Sequence, residues 1–306
     1  MGTPEFAVPS LEALYEAGHE IAAVVTQPDR RGNRGKVIPS AMKARAIELG
    51  CAILQPERIR GSEEFLAEMK AVGPDMIVVA AFGQILPKSI LELPKYGCIN
   101  VHGSLLPKLR GAAPMQQAVA MGLETTGVTI MRMNEGLDTG DMVSKTEVDI
   151  RGLDITEVSK LLADEGAELL VETIAGIEEG RAKYEPQNDE ESSYARPISK
   201  SDGLTDFNEP AAVLECRIRA YKEWPVVHSY VDGRQVKFYS ATVSEEAPAG
   251  EPGTIAEIGR SSFTINCAEG RLVINELQLQ GKKRMSAGDF LRGCRLEIGD
   301  RFNREV

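Results

Sequence analysis

An asparagine and a histidine stand two residues apart in "CINVHGSLLPKLRG" (residues 98–111), where an apolar run gives way to Gly, Ser and Pro. If residues 97–102 form a strand, alternate side chains leave on one face, so Asn100 and His102 emerge together at its C-terminal end. Open α/β sheets place their ligands at that end. Asn offers an amide N–H to a developing oxyanion, and an imidazole exchanges a proton near neutral pH. The same two residues also suit a structural role, satisfying the backbone of the loop that follows. Spacing alone leaves both readings open.

Three further clusters carry chemistry-bearing residues. "GLDTGDM" (136–142) sets Asp138 and Asp141 between glycines, either as a plain turn or as a carboxylate that orients a nearby imidazole. "QPDRRGNRGK" (27–36) gathers Arg30, Arg31, Arg34 and Lys36 in a glycine-interrupted loop, either a solvated charge cluster or a set of phosphate contacts. "GKKR" (281–284) is a smaller basic cluster containing Lys282 and Lys283. No GxGxxG follows a strand and there is no Walker A motif, so neither a dinucleotide nor a nucleoside triphosphate is indicated. Trp224, the only Trp, reads as a core or interdomain plug rather than a stacking platform.

The elements that would position these residues alternate. "PSLEALYEAGHE", "SAMKARAIELG" and "EEFLAEMKAVG" have helical spacing, the second with Ser40 as N-cap and Gly50 beyond its end. Between them, "IAAVVTQ", "CAILQ", "DMIVVAAFG" and "GCINVH" are short apolar runs of the kind covered on both faces. Helix "APMQQAVAMG", strand "TGVTIMRM" and a long amphipathic helix over 155–182 follow. This pattern predicts a doubly wound, mostly parallel α/β sheet over residues 1–184. Residues 185–205 are polar and turn-rich and read as a linker. Residues 206–306 hold short alternating runs broken by Asp-Gly, Glu-Gly and Pro-Gly turns, the pattern of a small β-barrel or sandwich. One irregularity stands at the start: "MGTPEFAVPS" reads as a loop entering a helix, with no strand before it. The expectation is that Met1 is an internal methionine of a longer reading frame.

Composition bounds the class. With 306 residues, 42% of them apolar, the chain suits about two domains and needs no covalent staples. Its five cysteines are odd in number and show no CxxC pattern, which points to buried free thiols in a reducing compartment and not to a metal site. No apolar run reaches ~18 residues and no basic segment precedes an apolar start, so a soluble cytoplasmic protein is expected. The net charge of −11 is uneven: residues 1–205 carry 21 Lys and Arg against 31 Asp and Glu, whereas residues 206–306 carry 14 against 15. An acidic body with a near-neutral C-terminal domain can still hold a polyanion on a local basic patch.

"NVHGSLLPKLRGAAP", with "GLDTGD" downstream, resembles the folate-dependent formyltransferase superfamily. "GTPEFAVPSL", "TQPDRRGNRGK", "AAFGQILPKSIL", "GVTIMRM", "YARPISKSDG", "RIRAYKEWP" and "LQLQGKKRMSAGDFLRG" narrow the likeness to its methionyl-tRNA formyltransferase branch, through nearly the whole chain. The resemblance implies a Rossmann-like formyltransferase domain followed by an OB-like C-terminal domain. It implies transfer of a formyl group from 10-formyltetrahydrofolate to the α-amine of methionyl initiator tRNA, by a monomer, without a metal. Carried over residue by residue, it makes Asn100, His102 and Asp138 catalytic and puts Ser104, Leu105, Leu106 and Pro107 along the folate site. It gives Arg30, Arg31, Arg34, Lys36, Lys282 and Lys283 to tRNA. In that reading Asn100 and a protonated His102 stabilise the oxyanion, and Asp138 favours the protonated imidazole while helping to take a proton from the amine.

The chain departs from the family pattern in four places: the absent first strand, Leu109 where an aromatic is usual, "WPVVHS" after the Trp, and Val37 after "RGK". The rivals are a sugar-nucleotide amine N-formyltransferase, which shares the Asn-x-His and Asp core, and a catalytically inactive RNA-binding relative. The Arg34 loop and the C-terminal basic motif favour tRNA over the first, and the intact Asn100, His102 and Asp138 speak against the second.

Overall fold

The computed structural model describes residues 1–30 and 38–303. The chain divides into two compact units: unit 1 comprises 1–114, 125–149 and 159–195, and unit 2 comprises 115–124, 150–158 and 196–306. The segment read from sequence as a linker is therefore split, its first eleven residues belonging to unit 1.

Helices and strands alternate through the first part of the chain in the order α1 (Val8–Glu16), β1 (Val24–Val25), α2 (Ala41–Glu48), β2 (Ile53–Leu54), α3 (Glu63–Val72), β3 (Ile77–Val79), α4 (Lys88–Leu91) and β4 (Cys98–His102). Next come β5 (Arg110–Gly111), α5 (Pro114–Ala120), β6 (Thr125–Arg132), β7 (Met142–Asp149), α6 (Ile155–Glu178) and β8 (Tyr194–Ala195). Local chemistry sets the ends. Ser40 caps α2 by accepting from the Lys43 N–H, and Ser62 caps α3 by accepting from Phe65. Gly73 closes α3 in the left-handed region, at φ 60°.

Four strands pair in the order β3-β4-β6-β7, parallel between β3 and β4 and antiparallel beyond. β6 and β7 run antiparallel because the connection between them is short and leaves no room for a crossover helix. β4 is the inner strand that carries Asn100 and His102: Ile99 and Val101 are fully buried, and the core beneath β3 and β4 holds Val25, Phe65, Met69, Ile77, Val79 and Ile90. α6 lies close on β4 and β6 because Gly166 has no side chain; a Cβ there would come within 3.0 Å of Val101 Cγ1.

β1 and β2 form a separate parallel pair. Met1 and Gly2 link β1 to β3: the Met1 backbone nitrogen donates to the Val78 carbonyl, Ala80 N–H donates to the Met1 carbonyl, and Gly2 N–H donates to the Val25 carbonyl. Beyond them a cavity of about 330 Å³ is lined by residues of α1, β1 and β3, among them Leu11, Val24 and Ile77.

Unit 2 is built on α7 (Ala211–Ala220), β9 (His228–Val231), β10 (Arg234–Ser244), β11 (Ile255–Ile258), β12 (Phe263–Asn266), β13 (Arg271–Leu279), β14 (Met285–Ser286) and α8 (Ala287–Gly293). Its strands form one antiparallel sheet in the order β11-β12-β13-β10-β9, with β14 added on β13. The strands alternate inward and outward residues, and Phe207, Phe238, Phe263 and Phe302 pack ring against ring inside. The α/β class and the β-rich C-terminal part expected from sequence are both present.

Of the five cysteines, Cys98 and Cys267 are buried with their thiols pushed up to about 12 by burial. Cys51, Cys216 and Cys294 are half-buried, so the expectation of uniformly buried thiols is too strong.

Candidate active site

Strand alternation brings Asn100 and His102 out of β4 on one face. His102 is 5% exposed and Asn100 half-buried. The Asn100 amide makes no side-chain hydrogen bond among the described residues, so its donors stay free. His102 has a polar neighbour at each ring nitrogen. Its Nε2 lies 3.0 Å from the Leu109 carbonyl, and its Nδ1 lies 3.8 Å from Asp138 Oδ2. A carbonyl only accepts, so Nε2 carries the hydrogen and a neutral ring presents the Nδ1 lone pair toward Asp138.

The electrostatics favour that neutral ring. Burial lowers the His102 pKa and outweighs the opposing pull of the Asp138 charge and the Leu109 carbonyl. The resting ring is therefore neutral, whereas the reading from resemblance has a protonated His102 at the oxyanion.

Two loops supply the partners. In the first, Ser104 and Leu106 point inward. The Ser104 hydroxyl donates to the Lys108 carbonyl (2.7 Å), and the buried Thr129 hydroxyl bridges the Ser104 carbonyl (2.7 Å) and the Leu106 N–H (3.0 Å). Leu106 packs with Met131 and Met142. Leu105 and Pro107 keep partial exposure, so the residues assigned to the folate wall alternate between stapling the loop and facing outward. Leu109 then turns through the left-handed region, at φ 57°, which aims its carbonyl at His102.

The second loop, 133–141, carries Asp138, itself left-handed at φ 51°. Asn134 Oδ1 accepts from Gly136 N–H (2.9 Å) and from the Thr139 hydroxyl (3.0 Å), an Asx turn that starts the loop. A Cβ at Gly140 would overlap the Arg132 carbonyl, so only glycine closes it. Asp138 Oδ2 accepts from the Gly111 N–H at 2.9 Å. Sequence reasoning marked Leu109 only for its side chain, and had no signal for its carbonyl or for Gly111, Gln187 or Ser193 as neighbours of this centre. The first two contribute backbone groups, whose roles do not depend on side-chain identity. The other two lie in the polar segment read as a linker.

Among the basic residues, Arg30 is exposed in the loop after β1, and Arg31, Arg34 and Lys36 lie outside the described residues. Lys282 and Lys283 are exposed in the turn from β13 to β14. The neighbouring Arg284 is committed to Glu276 and to the ring of Tyr239 at 4.4 Å. Among the described residues no helix is long and apolar enough to cross a membrane, and no His, Cys, Asp and Glu side chains gather into a metal-holding group.

Among solved structures, the chain resembles an N-formyltransferase from Helicobacter canadensis at a TM-score of 0.65, over 89% of this chain and 96% of that one, with 19% identity. It resembles a methionyl-tRNA formyltransferase from Clostridium thermocellum at a TM-score of 0.54, over 79% and 91%, with 16% identity. At such identities the likeness speaks for the fold alone. Curated relatives are far nearer in sequence: the methionyl-tRNA formyltransferase of Lachnospira eligens is 48% identical over 98% of this chain and 97% of its own length. That of Agathobacter rectalis is 49% identical over 99% and 98%. Formyl transferase matches residues 1–174, formyl transferase C-terminal domain matches residues 197–295, and with such relatives over nearly its whole length the chain belongs to the formyl transferase family.

Proposed function

We infer that this chain moves the formyl group of 10-formyltetrahydrofolate to the α-amino group of methionyl initiator tRNA, the step that formylates the initiator for translation. The observation that carries the acceptor is the near-half identity to methionyl-tRNA formyltransferases over almost the full length, both units included. The nucleotide-sugar alternative is not favoured. The reading places the enzyme in the cytoplasm and has it act as a monomer.

The folate supplies an activated formyl carbon; the side chains do the rest. A neutral amine forms the new C–N bond, leaving negative charge on the formyl oxygen and positive charge on nitrogen. The free Asn100 amide donates to that oxygen, a contribution of about 3 kcal/mol for one well-aimed donor. His102 takes the amine proton on Nδ1, the lone pair left open by the Leu109 hydrogen bond. The imidazolium so formed faces Asp138 at 3.8 Å, which stabilises the charge only once it appears. As the bond to folate N10 breaks, His102 returns the proton to that nitrogen and is neutral again. The products are the N-formyl ester and tetrahydrofolate. Leu105 and Pro107, the half-buried members of the first loop, supply the apolar wall beside the reacting carbon. Arg30, Arg31, Arg34, Lys36, Lys282 and Lys283 hold the tRNA backbone.

A formylation assay tests this, with charged initiator tRNA set against a nucleotide-sugar amine as acceptor. Turnover on the tRNA alone is expected. His102→Ala and Asp138→Asn should each lower it by about 10² to 10⁴ in rate while circular dichroism stays unchanged. Preference for the sugar amine would overturn the acceptor, and near-normal turnover in either variant would overturn the assignment of roles.

A further inference from the structure

The polar segment 185–195 does more than connect. Glu185 and Met142 exchange backbone hydrogen bonds at 2.9 Å, which ties the segment to the end of the Asp138 loop. Two residues on, the Gln187 amide donates one N–H to the Asp138 carbonyl (2.8 Å) and the other to the Gly140 carbonyl (2.7 Å). Its oxygen accepts from Arg110 Nε at 2.8 Å, so one side chain spans the two loops that meet at His102. Further along, the Ser193 hydroxyl accepts from the Leu109 N–H (2.9 Å), and the Ser193 carbonyl accepts from Arg110 (2.9 Å). The segment ends as β8, paired in parallel with β5.

These contacts fall on the two groups that define the state of His102. The Leu109 carbonyl keeps the hydrogen on Nε2, and Asp138 faces Nδ1. Both Leu109 and Asp138 sit in the left-handed region, which an L side chain enters at a cost of about 1 kcal/mol and holds only when its surroundings insist. Neither residue is fixed by packing of its own loop alone: Ser193 holds one and Gln187 the other. A glutamine is the side chain that fits, because it offers two donors for the two carbonyls and an acceptor for Arg110. A glutamate of the same shape would offer no donor.

We propose that Gln187 and Ser193 are positioning residues for formyl transfer, Gln187 setting Asp138 opposite Nδ1 and Ser193 setting the Leu109 carbonyl that fixes the His102 tautomer. The proposal rests on the reading of His102 as base and Asp138 as its partner. Gln187 touches neither substrate nor the imidazole; it acts through Asp138.

The test uses the full chain and measures kcat, both KM values, the pH profile of kcat and the melting temperature. Gln187→Ala is expected to lower kcat by about 10²-fold, the penalty for a catalytic group displaced by about 1 Å, with both KM values within about threefold. The acidic limb of kcat should move to lower pH, because the Asp138 charge and the Leu109 carbonyl are what raise the His102 pKa against burial. In an Asp138→Asn background the same substitution should cost no more than about twofold, since coupled residues are not additive. Gln187→Glu keeps the size and the Arg110 contact and loses both donors, so it separates positioning from simple loss of fold. Ser193→Ala should lower kcat and Ser193→Thr restore it. Full activity in Gln187→Ala and Gln187→Glu, an unmoved acidic limb, or an undiminished loss in the Asp138→Asn background would each overturn the proposal alone. Full activity in Asp138→Asn itself would overturn the underlying reading, and the proposal with it.

Discussion

Asn100 and His102 differ in what surrounds them, and that difference predicts how each fails. Asn100 is half-buried with a free amide, so removing it breaks no internal hydrogen bond. Asn100→Ala should therefore leave the melting temperature near wild type and both KM values little changed, while kcat falls by about 10² to 10³ as one oxyanion donor is lost. Steady-state kinetics decide it; a loss confined to KM would assign Asn100 to substrate binding. His102 must be neutral to accept a proton, and burial keeps its pKa below the ordinary value. The rate should accordingly be flat near pH 7 on the His102 limb and fall only in more acidic solution, where the base becomes protonated. At this scale spacing went part of the way: strand alternation puts Asn100 and His102 on one face, whereas Asp138 lay in a glycine-flanked turn that spacing alone did not separate from an ordinary one, and only the family resemblance singled it out. Their protonation was not legible: it depends on burial from several distant segments and on a carbonyl at Leu109, neither of which has a sequence signature.

Thr129 shows how an element positions a loop that it does not contain. It sits on β6 with no exposed surface, and its hydroxyl joins the Ser104 carbonyl to the Leu106 N–H. Thr129→Val keeps shape and burial but leaves both of those backbone groups without their partner. The expected penalty is about 1–3 kcal/mol per stranded group, together with a raised KM for the folate as the loop 104–107 loosens. Thermal melting and folate titration check the two halves; an unchanged melting temperature would mean that water replaces the hydroxyl. The sequence announced the helices and strands of unit 1 well, because apolar runs and caps are local. The runs were longer than the paired strands, as at residues 21–27, where only Val24–Val25 pair. β7 was missed. Its outward residues, Lys145, Glu147 and Asp149 among them, dilute the apolar signal, and its place at the end of the sheet exposes one side. The polar stretch 185–195 was misjudged for a related reason. Its residues bury hydrogen bonds instead of apolar surface, and composition cannot distinguish those from solvated side chains.

At the scale of the whole chain, charge sets both acid stability and tRNA affinity. In unit 2, Arg196 forks onto the Asp202 carboxylate, which also accepts from the Ser199 N–H and hydroxyl. These partners hold the Asp202 pKa well below the usual carboxylate range. An acid with a depressed folded-state pKa contributes stability that is present above about pH 4, its unfolded value, and is lost as pH falls toward the folded one. Asp202→Asn should thus be less stable than wild type at neutral pH, with the gap closing as the solution is acidified below pH ~4. Urea unfolding followed by the fluorescence of Trp224, the only Trp and itself in unit 2, measures that gap; a gap independent of pH would remove the carboxylate from the account. The same bookkeeping of charge applies to the tRNA. An overall net charge of −11 repels a polyanion, and the proposed function gives the tRNA backbone to local cations, among them Lys282 and Lys283, which are exposed in the β13–β14 turn. Each phosphate contact releases counterions, so the slope of log affinity against log salt reports their number. Replacing both lysines by alanine should flatten that slope by about 1.4 to 1.8 and weaken binding most at low salt. The folate KM should not move, because in the proposed function these two lysines serve only the tRNA. A slope that stays as steep as wild type would mean that these lysines touch no phosphate and that the basic loop at 27–36 carries the contact without them.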